Sequence, residues 1–165
     1  MPRQSIEPAN RKTLPNARRK SPPKVDYKGI FRASAAERVQ FIRQRVAPDV
    51  VDMTIIDMGI TKSALYITLD FPPSTMKRKT SKDELLPTAL SERMIGLQKL
   101  IGQVQTMVEE SGNPKGFNAA HWVAQWLEQP LGALGGQKPA HFMDTIQGQE
   151  LVSDVLARMQ SGAYA

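Results

Sequence analysis

The chain has 165 residues, 41% hydrophobic and 6% aromatic, which suits one or two small domains with an aliphatic core. It has no cysteine, which excludes a disulfide scaffold, a Cys-ligated zinc site and a thiol nucleophile. The formal charge of +6 is unevenly placed: residues 1–32 hold nine Lys/Arg against Glu7 and Asp26, whereas the rest holds 13 bases and 14 acids.

The basicity therefore belongs to one end of the chain. The first 24 residues contain five prolines and no helical period. A segment with so few apolar residues cannot offset its chain entropy by burial, so residues 1–32 are expected to form a disordered basic arm. Such an arm either tracks phosphates without sequence preference or only solubilises the chain. No apolar run approaches the roughly 18 residues of a membrane span. No apolar stretch follows the charges of Met1-Pro2-Arg3-Gln4-Ser5, so no signal peptide is expected. A cytoplasmic location suits a cysteine-free chain.

Beyond residue 33 the pattern becomes helical. Ser34-Ala35-Ala36-Glu37 is a capping box, followed by a stripe at Ala35, Val39, Ile42 and Val46. Pro48 starts a second helix that stops at Gly59. Thr61 caps a third, covering Ala64, Leu65 and Leu69. Asp70-Phe71-Pro72-Pro73 breaks the chain, and Pro73 fits the first turn of a short helix over Ser74 to Thr80. Pro87-Thr88 opens the longest helix, to about Glu110. Its stripe, Leu90, Met94, Leu97, Ile101, Val104 and Val108, follows a heptad and reads as core-facing or as partly a dimer seam.

Gly112-Asn113-Pro114-Lys115-Gly116 is a hinge by composition. Asn118 caps a helix with Ala119, Trp122, Val123, Trp126 and Leu127 on one face. Pro130 ends it, and the loop Leu131 to Gly136 allows positive φ at three glycines. Pro139 to Met143 is about one turn. Thr145 caps the last helix, with Leu151, Val152, Val155, Leu156 and Met159 on one face and Gly162 as its stop. The expected fold is all-α: two small lobes with a mobile arm, dividing into 1–32, 33–110 and 111–165.

Little points to catalysis. His121 and His141 stand 20 positions apart without a carboxylate at metal spacing, so no metal is expected, and His121 falls on the polar face of its helix. No Gly-x-Ser-x-Gly, phosphate-binding loop or dinucleotide fingerprint is present, so neither an enzyme nor a cofactor is expected. The stronger constellation lies at 61–82. Two short helices and a tight turn lead into Ser74, Thr75, Lys77, Arg78, Lys79 and Lys82. A helix-turn-helix places the start of its second helix in the major groove. Hydroxyls there meet phosphates or base edges, and the bases supply phosphate contacts. A solvated basic helix is the plainer reading. The tail Ala163-Tyr164-Ala165 reaches roughly 10 Å. It is either a frayed end or, with its Tyr and carboxylate, suited to a partner's pocket.

The run from Trp126-Leu127 through Pro130 and Ala133-Leu134-Gly135-Gly136 to Pro139 belongs to a longer pattern. Met143-Asp144-Thr145, Gly148-Gln149-Glu150-Leu151-Val152 and the ending Gly162-Ala163-Tyr164-Ala165 continue it. Together they resemble the toxin-binding domain of the Xre/MbcA/ParS antitoxins over residues 117–165. Residues 48–110 resemble the Xre-type helix-turn-helix of that family, with Ser74-Thr75, Arg78-Lys79 and Ser91-Glu92-Arg93 in place. The resemblance implies a non-catalytic type II antitoxin that dimerises and binds its own promoter. Its implied partner is a RES-domain toxin that uses NAD. It further implies that Gly162, Ala163, Tyr164 and Ala165, with Arg158 nearby, obstruct the toxin's NAD pocket; Trp122 and Trp126 read as the main packing of their lobe and stand with these residues as toxin-binding candidates. One departure is Asp70, at a turn position where such units carry Gly; Asp tolerates the left-handed conformation at some cost. The rival reading is a DNA-binding regulator whose C-terminal lobe only oligomerises.

Removing Ala163 to Ala165 should weaken neutralisation of a co-expressed toxin while leaving helical circular dichroism unchanged. Full protection by the shortened chain at equal expression would defeat the plugging role.

Overall fold

A computed structural model describes residues 24–162. The expected arm residues 1–23 and the tail residues Ala163, Tyr164 and Ala165 lie outside the described residues. The fold is all-helical: α1 (Tyr27–Arg32), α2 (Ala35–Gln44), α3 (Pro48–Met58), α4 (Lys62–Thr68), α5 (Pro73–Lys82), α6 (Thr88–Glu110), α7 (Ala119–Leu127) and α8 (Ile146–Gln160). Two 3-10 turns, Gly132–Leu134 and Pro139–Phe142, lie between α7 and α8. Among the described residues the only β-type pairing is an antiparallel bridge from Leu131 to Gln137.

Local chemistry accounts for most helix boundaries. Ser34 accepts from the Glu37 amide while the Glu37 carboxylate accepts from the Ser34 amide, completing the capping box. Thr61, Asn118 and Thr145 each accept from the amide three residues on, satisfying a donor that the first turn leaves unpaired. Pro48 and Pro73 occupy first-turn positions, where a missing N–H costs nothing. Gly59 ends α3 with φ +67.

The fold is organised around α6. Leu90, Met94, Leu97, Ile101 and Val104 are all buried within the chain, which settles their stripe as core-facing. The same core continues through Val51, Met58 and Leu65 on one side and through Val123, Leu127, Val152 and Leu156 on the other. The N-terminal helices and the C-terminal segment thus share one apolar interior. Three short polar stitches reinforce it. Val46 N–H donates to Ser91 Oγ at 3.0 Å. Gln98 Nε2 donates to Thr54 Oγ1 at 3.2 Å. Gln103 and Ser153 exchange two bonds, at 3.0 and 2.7 Å. Buried polar groups that are paired in this way avoid a desolvation penalty of roughly 1–3 kcal/mol each.

The structure corrects three expectations. The basic arm does not extend to residue 32, because Tyr27–Arg32 form α1 against α6. Asp26 caps this helix through the Gly29 amide at 2.9 Å. The buried Tyr27 donates its hydroxyl to Asp57 Oδ2 at 2.6 Å, and Lys28 pairs with Glu109 at 2.8 Å. Burial, reinforced by the bond to Asp57, pushes the Tyr27 phenol above its usual range. The α2 stripe is only partly used: no residue of the helix is buried, and Val39 is 42% exposed. On α8, Leu151 and Met159 face outward, while Val152, Val155 and Leu156 face the core.

The seat of α1 depends on a missing side chain. A Cβ on Gly102 would stand 2.0 Å from the Tyr27 carbonyl oxygen and 2.9 Å from Phe31 Cβ. Gly102→Ala should therefore lift α1 from α6 and cost about 1–3 kcal/mol. Urea denaturation measures the loss, and an unchanged midpoint would show that the α1 contact contributes little.

Candidate functional site

The segment expected to read nucleic acid, residues 61–82, is formed by α4 and α5. Leu65, Leu69, Phe71 and Met76 sink into the core and hold α4 and α5 in place. Between the two helices, Asp70 adopts φ +50. This is the left-handed conformation expected of the turn, although its residue is not Gly. Arg93 reaches this turn from α6. Its Nη1 donates to the Leu69 carbonyl at 2.7 Å and to the Asp70 carbonyl at 2.9 Å, with Asp70 Oδ2 at 3.4 Å. These are the unpaired acceptors at the end of α4, where a cation is favoured.

Five of the six expected nucleic-acid contacts lie on the accessible part of α5. Ser74, Lys77, Arg78 and Lys82 are exposed, and Thr75 is half-buried. Lys79 differs. Its ammonium pairs with Glu84 at 2.9 Å, and its side chain is only 15% exposed. This bond holds the Glu84 carboxyl below the usual carboxylate range. Lys79 therefore secures the end of α5 and is not a ready phosphate ligand. Asp83, with φ +51, closes the helix.

The C-terminal candidates occupy α7 and α8. Phe117, Trp122 and Trp126 form an aromatic row with centroid separations of 6.4 and 5.8 Å, the two indoles lying within 13° of parallel. Trp126 is 6% exposed, and among the described residues its Nε1 has no hydrogen-bond partner. Trp122 is half-buried at the edge. Trp126 thus packs the interior beneath a surface that Trp122 helps to form. Gln149, a buried residue of α8, donates to the carbonyls of Arg93 at 3.0 Å and Met143 at 2.9 Å. Its side chain crosses α6 at Gly96, where a Cβ would stand 1.6 Å from Gln149 Oε1. Positive φ occurs at Gly135 and Gly136 of the Leu131–Gly136 loop, but not at Gly132.

Arg158 lies on the exposed face of α8, seven residues after the exposed Leu151, so the two share one side of the helix. Gly162, at φ +71, follows the end of α8. Sequence reasoning placed Leu151 in the core, because an apolar residue beside Val152 reads equally well as the edge of a buried stripe. His121 is exposed, as expected, with Nδ1 3.3 Å from the Met58 carbonyl oxygen and Nε2 3.1 Å from Gln125 Nε2. Among the described residues, no group of three His, Asp or Glu is placed to hold a metal, and no helix is long and apolar enough to cross a membrane. The contact made by Arg93 was not anticipated. The Ser91-Glu92-Arg93 run marks the residue in the sequence, but nothing there links it to Asp70, 23 positions earlier and beyond α5.

Residues 117–162 match the antitoxin Xre/MbcA/ParS C-terminal toxin-binding domain. Over 149 residues, the chain is 40% identical to the Prs ADP-ribosylating antitoxin of Sphingobium sp. (strain YBL2), covering 90% of this chain and 94% of that protein. It is also 22% identical over 127 residues to Antitoxin Xre of Yersinia enterocolitica serotype O:8 / biotype 1B (strain NCTC 13174 / 8081), covering 77% and 80% of the two chains. Similarity that covers 90% of the chain extends well beyond the toxin-binding segment and places the whole folded chain within one family. The chain belongs to the Xre/MbcA/ParS antitoxins of toxin-antitoxin systems.

Proposed function

We propose that this antitoxin neutralises a RES-domain toxin that uses NAD, and that it represses its own promoter as a dimer. The observation that carries the first part is the 40% identity, over nearly the full chain, to an antitoxin whose name includes ADP-ribosylation. ADP-ribosyl transfer takes its group from NAD, which agrees with a partner of that chemistry. The exposed face of α8, with Leu151 and Arg158, offers an apolar and a cationic contact close to the chain end. Gly162, at φ +71, ends the described part of this segment, and the obstruction of the toxin's pocket is assigned to Gly162 together with Ala163, Tyr164 and Ala165, which follow it in the sequence. The chemistry is the partner's; this chain binds and obstructs, in the cytoplasm.

Promoter binding would use the exposed residues of α5. Ser74 stands at the first turn, where free amides and a hydroxyl suit a phosphate. Lys77, Arg78 and Lys82 continue along the accessible side. A dimer would bring two such helices to half-sites about one DNA turn apart.

The toxin reading is tested by expressing the neighbouring reading frame in bacteria with and without this chain. Growth arrest with falling NAD, both reversed by the antitoxin, is the expected result. Toxicity that ignores this chain would overturn the pairing. For DNA, Arg78→Ala should weaken promoter binding and lower the salt slope by about one ion. Lys79→Ala should have the smaller effect, because its ammonium is committed to Glu84. Unchanged isotherms across salt for Arg78→Ala would remove α5 from the interface.

A further inference from the structure

The direction of α5 depends on very few torsions. Immediately before it, Pro72 has φ −64 and Pro73 opens the helix. Proline rings lock φ near this value, and Phe71 is fixed in the core. Asp70 is therefore the joint that sets where α5 points, and it holds φ +50 without being glycine. A non-glycine residue stays in that region only where its surroundings impose it.

The Asp70 and Phe71 amides close the turn on the Ile67 and Tyr66 carbonyls, at 3.4 and 2.8 Å, and Arg93 ties the closed turn to α6. One guanidinium nitrogen bonds both carbonyls of the joint, at 2.7 and 2.9 Å. The Arg93 side chain is 18% exposed, whereas that of Asp70 is 81% exposed. The contact is thus chiefly to the backbone of the turn and not to the carboxylate. Arg93 is itself held: its Nε lies 3.4 Å from the Ala89 carbonyl oxygen, and its own carbonyl accepts from Gln149. The anchor belongs to the buried helix α6.

We propose that Arg93 is a positioning residue for nucleic-acid recognition: by clamping the left-handed turn at Asp70, it sets the angle at which α5 presents Ser74, Lys77 and Arg78. The inference rests on the reading of α5 as the DNA-contacting helix. It makes Arg93 a contributor to recognition that does not itself touch DNA.

The full-length chain is compared as wild type, Arg93→Ala, Arg93→Lys and Arg93→Ala with Asp70→Gly. Two readouts are used: amide exchange, and binding to a duplex from upstream of its own reading frame. In Arg93→Ala, exchange between residues 69 and 76 should rise about tenfold, with α7 and α8 unchanged. Affinity should fall about tenfold as the charge-assisted bonds are lost. Adding Asp70→Gly, which adopts positive φ without penalty, should return the affinity to within about threefold of wild type. Arg93→Lys keeps the charge but loses the rigid fork, and should fall between.

Wild-type exchange at 69–76 in Arg93→Ala overturns the clamp, whatever the chain binds. Exchange raised throughout the chain, with no rescue by Asp70→Gly, assigns Arg93 a general structural role and also overturns it. A wild-type chain that binds no duplex overturns the reading of α5 and the recognition role with it, while exchange still decides the clamp.

Discussion

A 23-residue helix packed on several sides cannot leave its polar groups unpaired, and α6 obeys this constraint along its length. Ser91, Gln98, Gln103 and Thr106 are all buried, and each has a hydrogen-bond partner. Ser91, Gln98 and Gln103 bond to different parts of the chain, so satisfying α6 also ties the link between α2 and α3, α3 itself and α8 to it. An apolar stripe alone would permit sliding. Directional bonds and two close approaches, α1 over Gly102 and Gln149 over Gly96, fix the register.

This arrangement carries the two proposed contact surfaces on one framework. The α5 side is polar and cationic, supported from beneath by Phe71 and Met76. The α8 side combines exposed apolar residues with Arg158. Gln149 makes the connection explicit, because it bonds the Arg93 carbonyl from within the toxin-binding segment. The backbone that anchors the turn before α5 is therefore held by α8.

The helices from α2 onward were legible in the sequence because their ends depend on local chemistry. Ser34, Thr61, Asn118 and Thr145 each bond an amide three residues away, and no distant residue is needed to predict that. The candidate site was legible at the level of residue type, through the basic run of α5 and the pattern from Trp126 to Gly162. It was not legible at the level of exposure. Leu151 and Val152 are neighbours with the same apolar character, yet one faces out and the other in. Lys77 and Lys79 look equivalent, yet Glu84 removes one of them from the accessible charge.

By itself, the sequence determined the helical class, the helix boundaries after residue 33 and the family, because caps, prolines and motif spacing act over a few residues. The tertiary structure alone decided that Tyr27–Arg32 form a helix, since six residues in a basic segment gain stability only by docking against Gly102 and Asp57. It alone decided that the N- and C-terminal segments share a core, and that Arg93 meets the turn at Asp70, 23 residues earlier. Those outcomes depend on which surfaces meet, and contacts between residues distant in the chain leave no periodic trace in it.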